Sequence, residues 1–476
     1  MMHRKHPLPI VLMLLIPLLA ACSRPATPSP ATAPLPDLTG GGWNVTATAP
    51  PAAPPTVSPT AAVTPSPAYP GLYDTTPTPD PTVAAPTSGL ESHIVQPGET
   101  LSLIAAVYGC TVEEIVAANG LPNADTISIG QTLYIPVAAT ADGLYLKLIP
   151  DSEMVYGPAY IHFDLPGFVA AQGGYLAGYS EEVEGRTLTG AEIVRLVARR
   201  FSVGPRVLLA LLELQSQWVT NPHPANLDYP VGYEREYYEG LFTQLSWAAV
   251  RLNEGYYGWK RGDHATLRLL DGTRLAVAPG LNAGTVGVQN CLAELSSSRE
   301  QWLALVGPDG FPAVYGRLFG NPFAYGVEPL LPPGLTQPEL RFPWEAGRMW
   351  YFTGGPHGGW GNGSGRAALD FVPGDKIHGC LVSQEWAAAA ADGLIVYSAD
   401  GMVLEDLDGD GFEESGWVLL YLHLADRDRV PVGTYVSQGE RIGHPSCEGG
   451  YAEATHLHFA RRYNGEWIPA GRGPLP

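Results

Sequence analysis

Between Ser23 and about Gly89 the chain is built almost entirely of Pro, Thr, Ala and Ser, with scattered Gly and few large apolar side chains. A segment of this composition cannot bury enough apolar surface to offset the entropy of ordering its backbone. The expectation is a disordered, partly polyproline-like tether over 23–90, with a root-mean-square reach of roughly 45 Å if flexible. Folded structure should therefore begin near residue 91. The length of 476 residues exceeds what one core supports and suggests two to four domains.

What precedes the tether looks like an export signal. His3-Arg4-Lys5-His6 is a short positive region, and Pro7 to Ala20 is an apolar run, interrupted by prolines and too short to span a bilayer comfortably. The run ends in Leu19-Ala20-Ala21-Cys22, which resembles a bacterial lipobox. That resemblance implies a signal peptide over 1–22, lipidation of Cys22 and a membrane anchor; the alternative is a simple cleaved signal with an incidental cysteine. Two chains on one residue anchor stably where one does not. The implied location is the outer face of the cytoplasmic membrane or elsewhere in the cell envelope. A formal net charge of −20, with no block of Lys and Arg, argues against a nucleic-acid partner. The other cysteines, Cys110, Cys291, Cys380 and Cys447, include no CxxC pair with metal-site spacing, and export would permit disulfides.

Residues 91–138 change character. His93-Ile94-Val95 reads as a strand, and Leu101, Ile104 and Val107 fall on one face of a short helix. Thr111 and Glu114 have capping-box spacing for a second helix, which Asn119-Gly120 stops. Gln131 to Pro136 returns as a strand. This β-α-α-β order, with the wording Val95-Gln96-Pro97-Gly98-Glu99-Thr100-Leu101 and Gly130-Gln131-Thr132-Leu133-Tyr134-Ile135-Pro136, resembles a LysM domain. The resemblance implies binding to the glycan of peptidoglycan.

The stretch 139–335 reads as mainly helical. Thr189 and Glu192 cap a helix carrying Ile193, Leu196 and Val197, Pro205 opens another, and Leu241, Leu245, Ala248 and Leu252 mark a third. The Pro205 helix, running through Gln215-Ser216, resembles the catalytic helix of goose-type lysozymes and lytic transglycosylases. In that family a Glu precedes the Ser. Gln215 holds the slot here, and an amide cannot act as the general acid. Glu213, about 200° away around the helix, cannot replace it. The expectation is a lysozyme-like relic without muramidase activity.

From 336 to the C-terminus the chain turns to strands and glycine turns, and histidines accumulate: His357, His378, His423, His444, His456 and His458. Trp417 to Leu424 reads as a strand delivering His423, and Thr455 to Phe459 as another carrying His456 and His458. Positions i and i+2 of a strand share a face, so both of the latter imidazoles point one way.

The words Tyr421-Leu422-His423, Val436-Ser437-Gln438-Gly439-Glu440-Arg441-Ile442-Gly443 and His456-Leu457-His458-Phe459 occur in that order. Order and wording resemble the lysostaphin and beta-lytic zinc endopeptidases, metallopeptidase family 23, which cut peptide cross-links of bacterial walls. In the lysostaphin branch the first zinc His lies four residues before the zinc Asp, but that slot before Asp370 holds Arg366. The beta-lytic branch spaces these ligands along a glycine-rich loop, as Gly354-Gly355-Pro356-His357-Gly358-Gly359-Trp360 does before Asp370. That likeness implies zinc bound by His357, Asp370 and His458, with His423 and His456 catalytic, and His378 left as a loop residue. Two imidazoles and a carboxylate leave a fourth coordination position for water. The histidines would take the proton of the water and steady the developing oxyanion.

The expected fold is thus multidomain α+β: a small βααβ LysM module, a mainly helical middle domain, and a C-terminal antiparallel β-sheet peptidase domain of the duplicated hybrid motif type. The implied activity is hydrolysis of peptidoglycan cross-links, with stem peptide or cross-bridge as substrate. The alternative is a non-catalytic wall-binding or activator protein with degenerate enzyme domains. Cys380 and Cys447 flank the catalytic core and either pair, pinning the loop before His456, or remain thiols. Asp406, Asp408 and Asp410 resemble the start of a calcium loop, although the twelfth position is Trp417; the alternative is a solvated acidic hairpin tip.

The lipobox reading gives a direct test. Wild-type protein is expected in the membrane fraction, and Cys22→Ala should release it or leave its signal uncleaved; unchanged membrane association of that variant would exclude the anchor.

Overall fold

In the computed structural model the Thr111 hydroxyl accepts the Glu114 N–H at 3.2 Å, and Glu114 Oε2 accepts the Thr111 N–H at 2.7 Å. This reciprocal cap starts the helix Val112–Asn119, which ends at Gly120 in the left-handed region. The structure describes residues 90–95, 100–108, 111–123, 127–136, 146–278, 280–375 and 379–471. Cys22, the 23–89 tether, Cys110 and His378 lie outside them.

Strands Leu90–Ile94 and Thr132–Pro136 pair antiparallel, with His93 opposite Leu133. Between them run the helices Leu101–Tyr108 and Val112–Asn119. Leu101, Ile104, Ile115, Leu133 and Ile135 form the small core. Asn119 also bonds across to the second strand: its Nδ2 donates to Tyr134 O and its Oδ1 accepts from Tyr134 N, both at 2.6 Å.

The stretch beginning near residue 146 is mainly helical, with short hairpins at Ser180–Val183/Arg186–Thr189 and Thr266–Arg268/Arg274–Ala276. The helix Gly190–Phe201 opens with the Thr189–Glu192 capping box, Pro205–Ser216 carries Pro in its first turn, and Leu241–Arg261 is the longest helix described. In the helix Pro205–Ser216, Glu213 is buried. It accepts from the N–H and hydroxyl of Thr220 and pairs with Arg317 at 3.3 Å. Its carboxylate therefore ties helix to loop.

The C-terminal part is an antiparallel sheet of eight strands. In spatial order it runs Tyr435–Val436, Gly393–Ala399, Met402–Asp406, Trp417–Leu422, Leu457–Tyr463, Ala368–Val372 and Tyr351–His357, and Glu466–Trp467 also pairs with Leu457–Tyr463. Successive side chains leave a strand on opposite faces, and here each face has its own core. Leu419, Tyr421, Val403 and Phe371 pack with Trp350, Ile395 and Ile442 on one side. Val418, Leu420, Leu422, Met402, Leu404, Ala368 and Ala460 join the core of the helical domain on the other. Burying a Leu or Val side chain contributes about 1.5–3 kcal/mol, so this shared core is a large part of what holds the sheet. Charged ties surround it: Arg199 to Glu413 at 2.6 Å, Arg186 to Asp400 at 2.7 Å, and Lys260 to Glu466 at 2.6 Å.

Residues 336–476 produced alone would expose that apolar face. They are expected to self-associate or bind a hydrophobic dye, and to become soluble when co-expressed with 139–335. A monomeric, dye-silent 336–476 that unfolds cooperatively would show that the sheet does not need its helical cover.

Candidate metal centre

Strand register builds the site. Asp370 lies opposite His458 on one neighbouring strand and opposite Gly354 on the other, and a bulge follows before His357 pairs with Ala368. The ligand atoms of His357, Asp370 and His458 all lie within 4.8 Å of one another. His357 Nε2 is 2.7 Å from Asp370 Oδ2, and His458 Nδ1 is 3.3 Å from Asp370 Oδ1. Bond lengths of about 2.0–2.2 Å to zinc place tetrahedral donors about 3.3 Å apart, so the spacing suits one small cation. Asp370 Oδ1 is buried and accepts no hydrogen bond of good geometry. An orphaned carboxylate oxygen between imidazoles is the vacancy in hydrogen bonding that a bound cation would fill.

Backbone carbonyls orient the rings. His458 Nε2 sits 2.9 Å from Gly359 O and His357 Nδ1 3.2 Å from Gly358 O, which leaves Nδ1 of His458 and Nε2 of His357 facing Asp370. His423 follows the strand Trp417–Leu422 at φ +68°, an uncommon conformation for a non-glycine residue. It is held there by Ser446, whose N–H and hydroxyl both donate to His423 O, at 2.6 and 3.1 Å. His423 Nδ1 lies 3.0 Å from Glu448 O, and His456 Nδ1 2.8 Å from Ala454 O. The two rings are 4.4 Å apart, and His456 Nε2 is 3.9 Å from Asp370 Oδ1.

The electrostatics follow from this packing. Burial acts to raise the Asp370 pKa, but the hydrogen bond from His357 and the proximity of His458 hold it well below the usual carboxylate range. The same bond to Asp370 raises the His357 pKa against the effect of burial. Burial, reinforced by His456 and His458, pushes His423 down to about 3, so its imidazole is neutral near pH 7. The site stays open to solvent, with side-chain exposures of 40% for His357 and 20% for Asp370.

Cys380 and Cys447 form a disulfide. It fastens the segment whose Glu448 carbonyl meets His423, and Thr455, just before His456, donates its N–H and its hydroxyl to Gly379 O, both at 3.0 Å. Arg366 is exposed, and its carbonyl accepts the Ala470 N–H at 2.7 Å. The carboxylates of Asp406, Asp408 and Asp410 gather within 4.8 Å. They accept backbone N–H groups of Asp408, Gly409, Gly411, Asp410 and Phe412, so backbone donors hold the cluster. All five histidine and aspartate positions expected at the centre converge. The carbonyls of Gly359 and Glu448 were not foreseen, since a backbone atom leaves no signature in residue type.

Residues 93–136 match the model of the LysM domain, and residues 147–332 match that of the LasA N-terminal domain. Protease LasA of Pseudomonas aeruginosa is 25% identical over 339 residues, which cover 67% of this chain and 74% of that protein. The likeness is to a LysM module followed by an M23-type peptidase. The cortical fragment-lytic enzyme of Bacillus subtilis is 41% identical over 49 residues, 10% of this chain and 11% of its own length. Among solved structures, the M23 metalloprotease pseudoalterin shares 25% identity at a TM-score of 0.22, covering 28% of this chain and 75% of that one. Lysostaphin from Staphylococcus simulans shares 26% at 0.18, covering 24% and 43%. The match to the LasA N-terminal domain spans nearly the whole helical stretch.

The disulfide closes a separation of 67 residues. By loop-closure entropy its loss should cost about 4 kcal/mol. Cys380→Ser with Cys447→Ser is expected to lower the unfolding midpoint accordingly; an unchanged midpoint in the full chain would show that the bond adds nothing to stability.

Proposed function

We propose that this protein is a cell-wall zinc metalloendopeptidase of the beta-lytic type that hydrolyses peptide cross-links of peptidoglycan. The observation that carries the reading is the convergence of His357, Asp370 and His458 around a buried carboxylate oxygen that accepts no well-aligned hydrogen bond, with His423 and His456 beside it. The likeness to a protein named Protease LasA supports peptidase chemistry. The LysM module supports a wall substrate, held by its glycan while the stem peptide or cross-bridge enters the C-terminal site. On this reading the sheet is a duplicated hybrid motif, and a lipid on Cys22 keeps the enzyme in the envelope.

His357 Nε2, Asp370 and His458 Nδ1 would hold the zinc ion. When bound it supplies Lewis acidity and an open coordination position for water and the scissile carbonyl. The residues of the chain do the rest. His423, neutral and with Nδ1 turned to Glu448 O, presents Nε2 as a proton acceptor. His456 stands next to it on the more exposed side, placed to steady charge developing on the substrate oxygen. The disulfide keeps both loops in place during turnover.

Two variants separate metal binding from chemistry. His357→Ala should lose most of the zinc along with peptide cleavage, whereas His423→Ala should keep one zinc per chain and lose cleavage. Full zinc and full activity in His357→Ala would refute the assignment.

A further inference from the structure

The glycine-rich loop after His357 is clamped between the sheet and the helical domain. A Cβ on Gly359 would lie 2.3 Å from the Trp467 ring, on Gly365 3.2 Å from the Tyr257 ring, and on Gly363 2.1 Å from Val250 O. Gly359 therefore packs directly against the indole, and only a residue without a side chain fits there. Its carbonyl is the group that meets His458 Nε2 at 2.9 Å.

Trp467 is fully buried, and the helical domain fixes it at two points. Its Nε1–H donates to Phe201 O at 3.1 Å, and its backbone N–H donates to the Tyr257 hydroxyl at 2.8 Å. Phe201 ends the helix Gly190–Phe201, so its carbonyl is one that the helix itself leaves unsatisfied. Asn253 Nδ2 donates to the same oxygen at 2.8 Å. Tyr257 lies on the helix Leu241–Arg261, buried at 4% exposure.

We infer that Trp467 is a positioning residue through which the helical domain sets the ring orientation of His458. The contacts run from Phe201 to the indole N–H and from Tyr257 to the Trp467 backbone N–H, from the indole to Gly359, and from the Gly359 carbonyl to His458 Nε2. With a proton held on Nε2 by that carbonyl, Nδ1 is left with its lone pair toward Asp370. The helical domain is then a working part of the centre and not only a cover for the sheet. This inference rests on reading His357, Asp370 and His458 as the metal centre.

The test uses the full chain carrying Trp467→Phe, which keeps a ring under Gly359 and removes the indole donor, and Tyr257→Phe, which removes only a hydroxyl. Zinc affinity is measured by chelator competition, and the His458 tautomer by imidazole 15N shifts of the zinc-free protein. Loss of an outer-shell partner typically costs 10–100-fold in metal affinity. Trp467→Phe should fall by about 10-fold, with the His458 Nε2–H form no longer dominant, and Tyr257→Phe should fall less in the same direction. Folded variants with wild-type affinity and a wild-type His458 tautomer would overturn the inference. If the wild-type chain binds no zinc, the proposed function fails, and the tautomer comparison still decides whether Trp467 positions His458. Should Trp467→Phe not fold, Tyr257→Phe decides by the same two measurements.

Discussion

The structure depends on the pairing of Asp370 with His458 across two antiparallel strands. Side chains alternate along a strand, so a slip of one residue would turn Asp370 to the opposite face and break the centre at once. The slip is opposed by the apolar rows on both faces. Leu369 and Phe371 pack on one side, and Ala368 and Ala460 belong to the core on the other. Apolar packing on both faces of the strand pair thereby fixes how Asp370 and His458 face each other. His357 comes from an edge strand with register irregularities, where the bulge before it re-aims a side chain that regular pairing would misplace.

The face that carries Asp370 and His458 is the face that the helical domain covers. Along the strand Leu457–Tyr463, His458 faces Asp370, Ala460 enters the shared core, and Arg462 is buried against Ser202 and Arg199 O of the helical domain. Every second residue of one strand thus passes from open site to closed interface within a few positions. The cover stops short of the centre, where the His357 and Asp370 side chains keep solvent exposure. The helical domain therefore works as a wall beside the site.

Local signals in the sequence were reliable wherever they describe short-range geometry. Both capping boxes, Thr111–Glu114 and Thr189–Glu192, form as their spacing requires, and the Pro205 helix starts at its proline. The five positions expected at the centre came from the likeness of their surrounding words to the zinc endopeptidases, and the structure brings them together. The glycines after His357 serve close approach: Gly359 to Trp467, Gly363 to Val250 and Gly365 to Tyr257. Such contacts join residues about a hundred or more positions apart in the chain, and no periodicity reports them. The strand expected to deliver His423 ends at Leu422, because His423 leaves the extended region to face the site.

All four imidazoles of the centre turn one ring nitrogen to a backbone carbonyl: His357 to Gly358, His423 to Glu448, His456 to Ala454 and His458 to Gly359. Every residue type supplies a carbonyl, so these contacts constrain the path of the loops and leave most side chains free to change. The constraint then falls on whatever fixes the path. For the loop before His456 that is the Cys380–Cys447 bond, together with the Thr455 contacts to Gly379. For the loop after His357 it is glycine where the chain must lie against an indole. Substitutions in these loops that keep the path should therefore be tolerated, while a single methyl group at Gly359 displaces the carbonyl on which the orientation of His458 depends.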